Sequence, residues 1–168
     1  MKVAAYDPLM TKAQIESYDA KYYQDYSKLL SMSDIVSIHV PLTKETTDMI
    51  TKKELAAMKK SALLINCSRG GIINEADLVE ALKKGTIAGA GTDVFINEPP
   101  QTDDPLLNCP NLIVSPHSAA QTREAVIKMA QMCIQGCLAV ATEKKWPYVA
   151  DKTVYEHPRW AGAQWADF

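Results

Sequence analysis

The feature that most constrains this chain is its alternation of short apolar runs with amphipathic helical stretches. Strand-length runs rich in apolar and β-branched residues occupy residues 2–6, 34–40 (DIVSIHV), 62–66 (ALLIN), 87–93 (IAGAGTD) and 112–115. Pro8 and Pro41 close the first two, because proline cannot donate to a strand ladder. Between them, helices are expected over residues 11–20, 27–32, 51–60, 74–84 and 121–143. Thr11 and Asn74 stand at N-cap positions, Thr51 and Glu54 have capping-box spacing, and Lys83-Lys84-Gly85 reads as a helix end. Residues 21–26 are ambiguous and suit a short edge strand, and 95–110 form a loop rich in Pro and Asp. Such β/α alternation with short connections specifies an α/β fold with a doubly wound parallel sheet.

The chain of 168 residues suffices for one ordinary domain, expected over residues 1–145, with 146–168 as a C-terminal arm or tail. A net charge of −2 offers no basic surface for nucleic acid or an anionic membrane. The uninterrupted apolar runs fall well short of the roughly 20 residues that span a bilayer. No basic segment followed by an apolar one opens the sequence, so no secretory signal is read and a cytoplasmic location is expected. The cysteines at 67, 109, 133 and 137 are then expected to be reduced. Cys133 and Cys137 share a helix face with no third ligand near them, which favours buried thiols over a metal site.

Open parallel sheets bind ligands beyond the carboxyl ends of their strands. The residues there are Asp7, the segment from Pro41 to Thr46, Arg69, Asp93 followed by Glu98, and His117. An arginine, a glutamate and a histidine thus gather at one sheet edge. Taken singly each has an ordinary structural explanation, but together they match what carbonyl reduction requires. A cation holds a substrate carboxylate and polarises the C=O, a histidine moves the proton, and a carboxylate beside it favours imidazolium.

The segments SDIVSIHVPLTKETTDMI (33–50), LLINCSRGGIINEADLVEAL (63–82), AGAGTDVFINEPP (88–100) and NLIVSPHSAAQTREAV (111–126) resemble, in order and spacing, the D-isomer-specific 2-hydroxyacid dehydrogenases. The resemblance covers about residues 1 to 142. It implies a Rossmann-like fold, NAD as cofactor and a small 2-hydroxy or 2-oxo acid as substrate. It also implies that Arg69 binds the substrate carboxylate and carbonyl, Glu98 pairs with the histidine, and His117 donates and accepts the proton. Asp7 resembles the acid that receives the adenosine ribose, and Asp93 the residue that positions the nicotinamide carboxamide. Pro41, Thr46, Cys67 and Ser68 resemble parts of the cofactor wall. His39 and His157 read as structural or surface groups.

The family places a strand, a G-x-G-x-x-G turn and a helix ahead of the first segment, and a substrate lid of roughly 100 residues elsewhere. Neither is found in these 168 residues, whose only paired glycines are Gly70-Gly71, so a truncated domain is expected. The family's central strand would lie between residues 2–6 and 34–40. The expectation is that the sheet closes across that gap, giving a flavodoxin-like 2-1-3-4-5-6 order, with a homodimer as the competing solution. Two functions follow. One is NAD-linked interconversion of a D-2-hydroxy acid and a 2-oxo acid, with the isolated chain inactive. The other is a non-catalytic scaffold or association module.

Overall fold

A computed structural model of the chain describes residues 1–167. The elements run β1 (Val3–Ala5), α1 (Lys12–Glu16), β2 (Ala20–Tyr22), α2 (Tyr26–Met32), β3 (Ile35–Ile38), α3 (Lys52–Ala57) and β4 (Leu63–Asn66). Then come α4 (Glu75–Lys84), β5 (Gly89–Thr92), β6 (Leu112–Val114) and α5 (Arg123–Ala141). Two compact units result, residues 1–119 and 120–168.

Local chemistry sets most of the boundaries in the first unit. Thr11 accepts the Gln14 N–H while the Gln14 side chain returns to the Thr11 N–H at 2.8 Å. The Glu54 carboxylate receives both the N–H of Thr51, at 3.1 Å, and its hydroxyl, at 2.6 Å. Asn74 accepts from the Asp77 N–H at 3.0 Å, and Gly85 ends α4 in the left-handed region at φ 64°, open to glycine at no steric cost.

Strands β3, β4, β5 and β6 form one parallel sheet in that order, with Ile35 beside Leu63 and Leu63 beside Gly89. Side chains alternate across it. Val36, Ile38, Leu64 and Ala90 face the core built with Leu30 of α2, Leu55 of α3, and Leu78 and Leu82 of α4. Ile35, Leu63 and Ile113 lie on the opposite face and are exposed.

Strand β1 pairs in parallel with β2 alone, as a separate two-stranded sheet, and makes no ladder with β3. The expected 2-1-3-4-5-6 closure is therefore not what the chain adopts. The expectation rested on a penalty for buried, unpaired backbone groups. Both edge strands lie partly at the surface, with Val3 51% and Ile35 56% exposed, so the full burial that this penalty presumes is not present.

In the second unit, Thr122 caps α5 by accepting the Ala125 N–H at 3.1 Å. Only Ala139 is buried on this helix, whereas Val126, Met129, Ile134, Leu138 and Val140 are exposed. Cys133 and Cys137 are exposed free thiols, which corrects the buried reading, since they line an open groove with Trp146, Tyr148 and Arg159 rather than a packed core. Length and composition make α5 the one helix among the described residues able to cross a membrane. Counting uninterrupted runs overlooks it, because Gln131, Gln135 and Gly136 break the run. The segment after α5 folds back on its end: Tyr155 exchanges two 2.7 Å hydrogen bonds with the backbone of Trp146 and stacks edge-on against Trp160 and Trp165.

Candidate active site

Five connections of the first unit, those after β1, β3, β4, β5 and β6, carry the side chains singled out by chemistry. The turn after β4 is organised by Asn66, a buried polar residue ending an apolar strand. Its Nδ2 donates to the Arg69 carbonyl at 2.9 Å and its Oδ1 accepts the Ser68 N–H at 3.0 Å. The Ser68 hydroxyl donates to the Val40 carbonyl, tying this turn to the exit of β3. Arg69 is exposed and donates from Nη1 to the Ser68 carbonyl at 2.7 Å; among the described residues it forms no ion pair. Cys67 is exposed beside it.

After β3, the Thr46 hydroxyl donates to the Pro41 carbonyl at 2.6 Å and accepts the Thr43 N–H at 2.7 Å, which fixes the loop. His39, Val40, Pro41, Leu42, Ser68 and Arg69 line a cleft of about 550 Å³. His39, read from sequence as structural or surface, thus lines the cleft, with Nε2 2.8 Å from the Ser37 hydroxyl.

A glutamate–histidine pair forms between the exits of β5 and β6. Glu98 Oε1 accepts the Phe95 N–H at 3.0 Å, and Oε2 lies 2.8 Å from His117 Nδ1. The His117 hydrogen bond, the Phe95 N–H and the nearby positive charges of His117 and Arg69 hold the Glu98 carboxyl below the usual carboxylate range. A carboxylate at Nδ1 sets the tautomer and leaves Nε2 as the nitrogen available to a substrate.

Asp93 is buried and gives both oxygens to the next connection. Oδ1 accepts the Ser115 hydroxyl and the Ser118 N–H, the latter at 2.8 Å, and Oδ2 accepts the Ala119 N–H at 2.8 Å. These bonds bracket His117, whose φ of 51° is uncommon for a non-glycine residue. Burial pushes the Asp93 pKa up, but the Ser115 bond, the two N–H groups and the His117 charge outweigh it and hold the group below its ordinary value. The structure therefore joins Glu98 to His117, Asp93 to the His117 segment, Ser68 to the β3 exit and Thr46 to Pro41. Asp7 stands apart on the β1–β2 sheet, with Oδ1 accepting the Leu9 N–H at 2.7 Å. Asn66 and Ser115 went unnoticed in the sequence, where a polar residue ending an apolar run was the available signal.

Residues 1–119 match the family model "D-isomer specific 2-hydroxyacid dehydrogenase, NAD binding domain". The chain belongs to this family. It is 41% identical over 141 residues to a D-3-phosphoglycerate dehydrogenase from Archaeoglobus fulgidus, covering 84% of this chain and 27% of that protein. It is 41% identical over 154 residues to a glyoxylate reductase from Thermococcus litoralis, covering 92% and 46%. The crystal structure of D-lactate dehydrogenase with NAD+ from Lactobacillus jensenii superposes with a TM-score of 0.80 at 37% identity, covering 90% of this chain and 48% of that one. The chain thus spans between about a quarter and a half of the length of these relatives.

NAD is the cofactor of this domain family, and the residues present fit its two ends unequally. Asp7, half-buried at the end of β1, keeps Oδ2 without a partner among the described residues, which suits a ribose diol. The cleft beside Arg69 suits the reacting end. No G-x-G-x-x-G turn occurs in these 168 residues to hold the pyrophosphate.

Proposed function

We propose that this chain carries the acid–base end of an NAD-dependent interconversion of a D-2-hydroxy acid and a 2-oxo acid. The observation that carries the reading is the 2.8 Å contact of His117 Nδ1 with Glu98 Oε2, on a carboxylate whose charge is also stabilised by Arg69. In this reading NAD supplies or accepts the hydride. Arg69 binds the substrate carboxylate and polarises the carbonyl. His117 delivers a proton from Nε2 to the carbonyl oxygen in reduction and removes it from the hydroxyl in oxidation. Glu98 holds the imidazole in the productive tautomer and favours its charged form. Pro41, Thr46, Cys67 and Ser68 form one wall for the cofactor. Asp93 contributes from beneath, by fixing His117, alongside any contact to the nicotinamide.

The isolated chain is read as inactive and cytoplasmic. Without a phosphate-binding turn its residues offer no backbone cradle for the pyrophosphate. The test is a longer chain in which the strand, glycine turn, helix and substrate domain of a relative are joined to residues 1–168. His117→Ala should then lower turnover on the order of a hundredfold or more. Glu98→Gln should shift the pH–rate profile. Turnover within a few-fold of the parent after His117→Ala would refute the assignment. The exposed apolar side chains of α5 favour a second reading, a scaffold or association module that forms homodimers, which analytical ultracentrifugation separates from a monomer.

A further inference from the structure

We propose that Glu75 is a positioning residue for the acid–base pair, holding the Phe95–Glu98 loop through the backbone N–H of Ile96. The proposal rests on the reading of Glu98 and His117 as proton-transfer groups. Glu75 opens α4, where an acidic residue ordinarily needs no explanation beyond the helix dipole. Its contact is different: Oε1 accepts the Ile96 N–H at 2.7 Å, across 21 positions of sequence and onto another connection. The cap of α4 is already supplied by Asn74, so Glu75 is not needed for that purpose. Burial pushes the Glu75 pKa up, the Ile96 N–H opposes this, and Asp104 adds to the rise.

The loop it holds is confined from the other side. A Cβ built on Gly70 would lie 2.0 Å from the Phe95 carbonyl oxygen and 2.5 Å from Ile96 N, so the turn carrying Arg69 abuts the same peptide. One residue before that peptide's N–H, the Phe95 N–H donates to Glu98. Glu75, the Arg69-Gly70 turn and Glu98 are thus joined through two consecutive peptide units, Val94–Phe95 and Phe95–Ile96. A shift there moves Glu98 relative to both Arg69 and His117.

The test uses the chain itself, with the Glu98 side-chain carboxyl titrated by ¹³C NMR and amide exchange measured at Ile96. Glu75→Ala removes the acceptor. It should raise the Glu98 midpoint toward the ordinary carboxylate value and speed exchange at Ile96 on the order of tenfold, the loss expected for one hydrogen bond. Glu75→Gln keeps a carbonyl oxygen for Ile96 and should not raise the midpoint. The two directions separate the causes. Removing the Glu75 charge by itself can only lower the Glu98 midpoint, whereas losing the loop's position raises it. Glu75→Asp, one methylene short, should behave like the alanine variant and serves if that variant does not fold. Unchanged exchange in β4 confirms an intact sheet. An unmoved Glu98 midpoint in the alanine or aspartate variant, or a rise equally large in the glutamine variant, overturns the proposal. Because none of these readouts requires turnover, a failure of the catalytic reading in the longer chain remains a separate result.

Discussion

Replacing Gly70 by alanine tests whether the Arg69 turn and the Glu98 loop are one mechanical unit. The added Cβ would sit 2.0 Å from Phe95 O, 2.1 Å from Phe95 C and 2.5 Å from Ile96 N, all backbone atoms with no flexible side chain to yield. Non-bonded atoms need at least about 3 Å, so one strand exit must move from the other by about 1 Å. Overpacking of this kind costs about 1–3 kcal/mol. For a chain of this length each kcal/mol lowers Tm by roughly 2–4 °C, so a drop of roughly 2–12 °C is expected. A displacement of that size also takes Glu98 out of hydrogen-bond range of His117, now 2.8 Å away. The variant should therefore lose stability and raise the Glu98 midpoint together, read by thermal unfolding and ¹³C NMR. Gly71→Ala is the control. Its nearest neighbours would be 3.8 Å away, and its φ of 81° imposes backbone strain alone. It should lose stability while leaving Glu98 in place. Full stability and an unmoved Glu98 in Gly70→Ala would refute the reasoning.

Asp93→Asn should destabilise the fold by about 1–3 kcal/mol, because one oxygen becomes an NH₂ that must face the N–H of Ser118 or Ala119; denaturant melts measure this. The folded pKa of Asp93 is depressed, so its contribution is present above the unfolded value and is lost as pH falls through the folded one. Acid titration of the parent should show this loss below about pH 4, and the asparagine variant should not. Any cofactor binding, by this chain or its extended form, should favour NAD over NADP if Asp7 is the ribose acceptor proposed above, because a carboxylate there would accept ribose hydroxyls and repel a 2′-phosphate. Titration by tryptophan fluorescence checks this, and tighter NADP binding would contradict the role given to Asp7.

What was legible in the sequence is what short-range chemistry writes into it. Thr11, Asn74 and Gly85 mark helix ends because capping joins residues at most a few positions apart. The apolar runs at 34–40 and 62–66 showed the sheet strands β3 and β4, and the order of strand ends gathered Glu98 and His117 at one sheet edge, where they bond. The long-range links left no such trace. Glu75 reaches Ile96 over 21 positions, and Asp93 reaches Ser118 and Ala119 over 25 and 26. Neither has a period, a cap or a turn signature, because each depends on two connections arriving side by side at one sheet edge. The same holds for β1, whose composition suits a strand but whose partner depends on tertiary geometry. It lies partly at the surface, where the penalty for an unpaired edge is smaller than for a buried one, and it pairs with the nearby β2 alone.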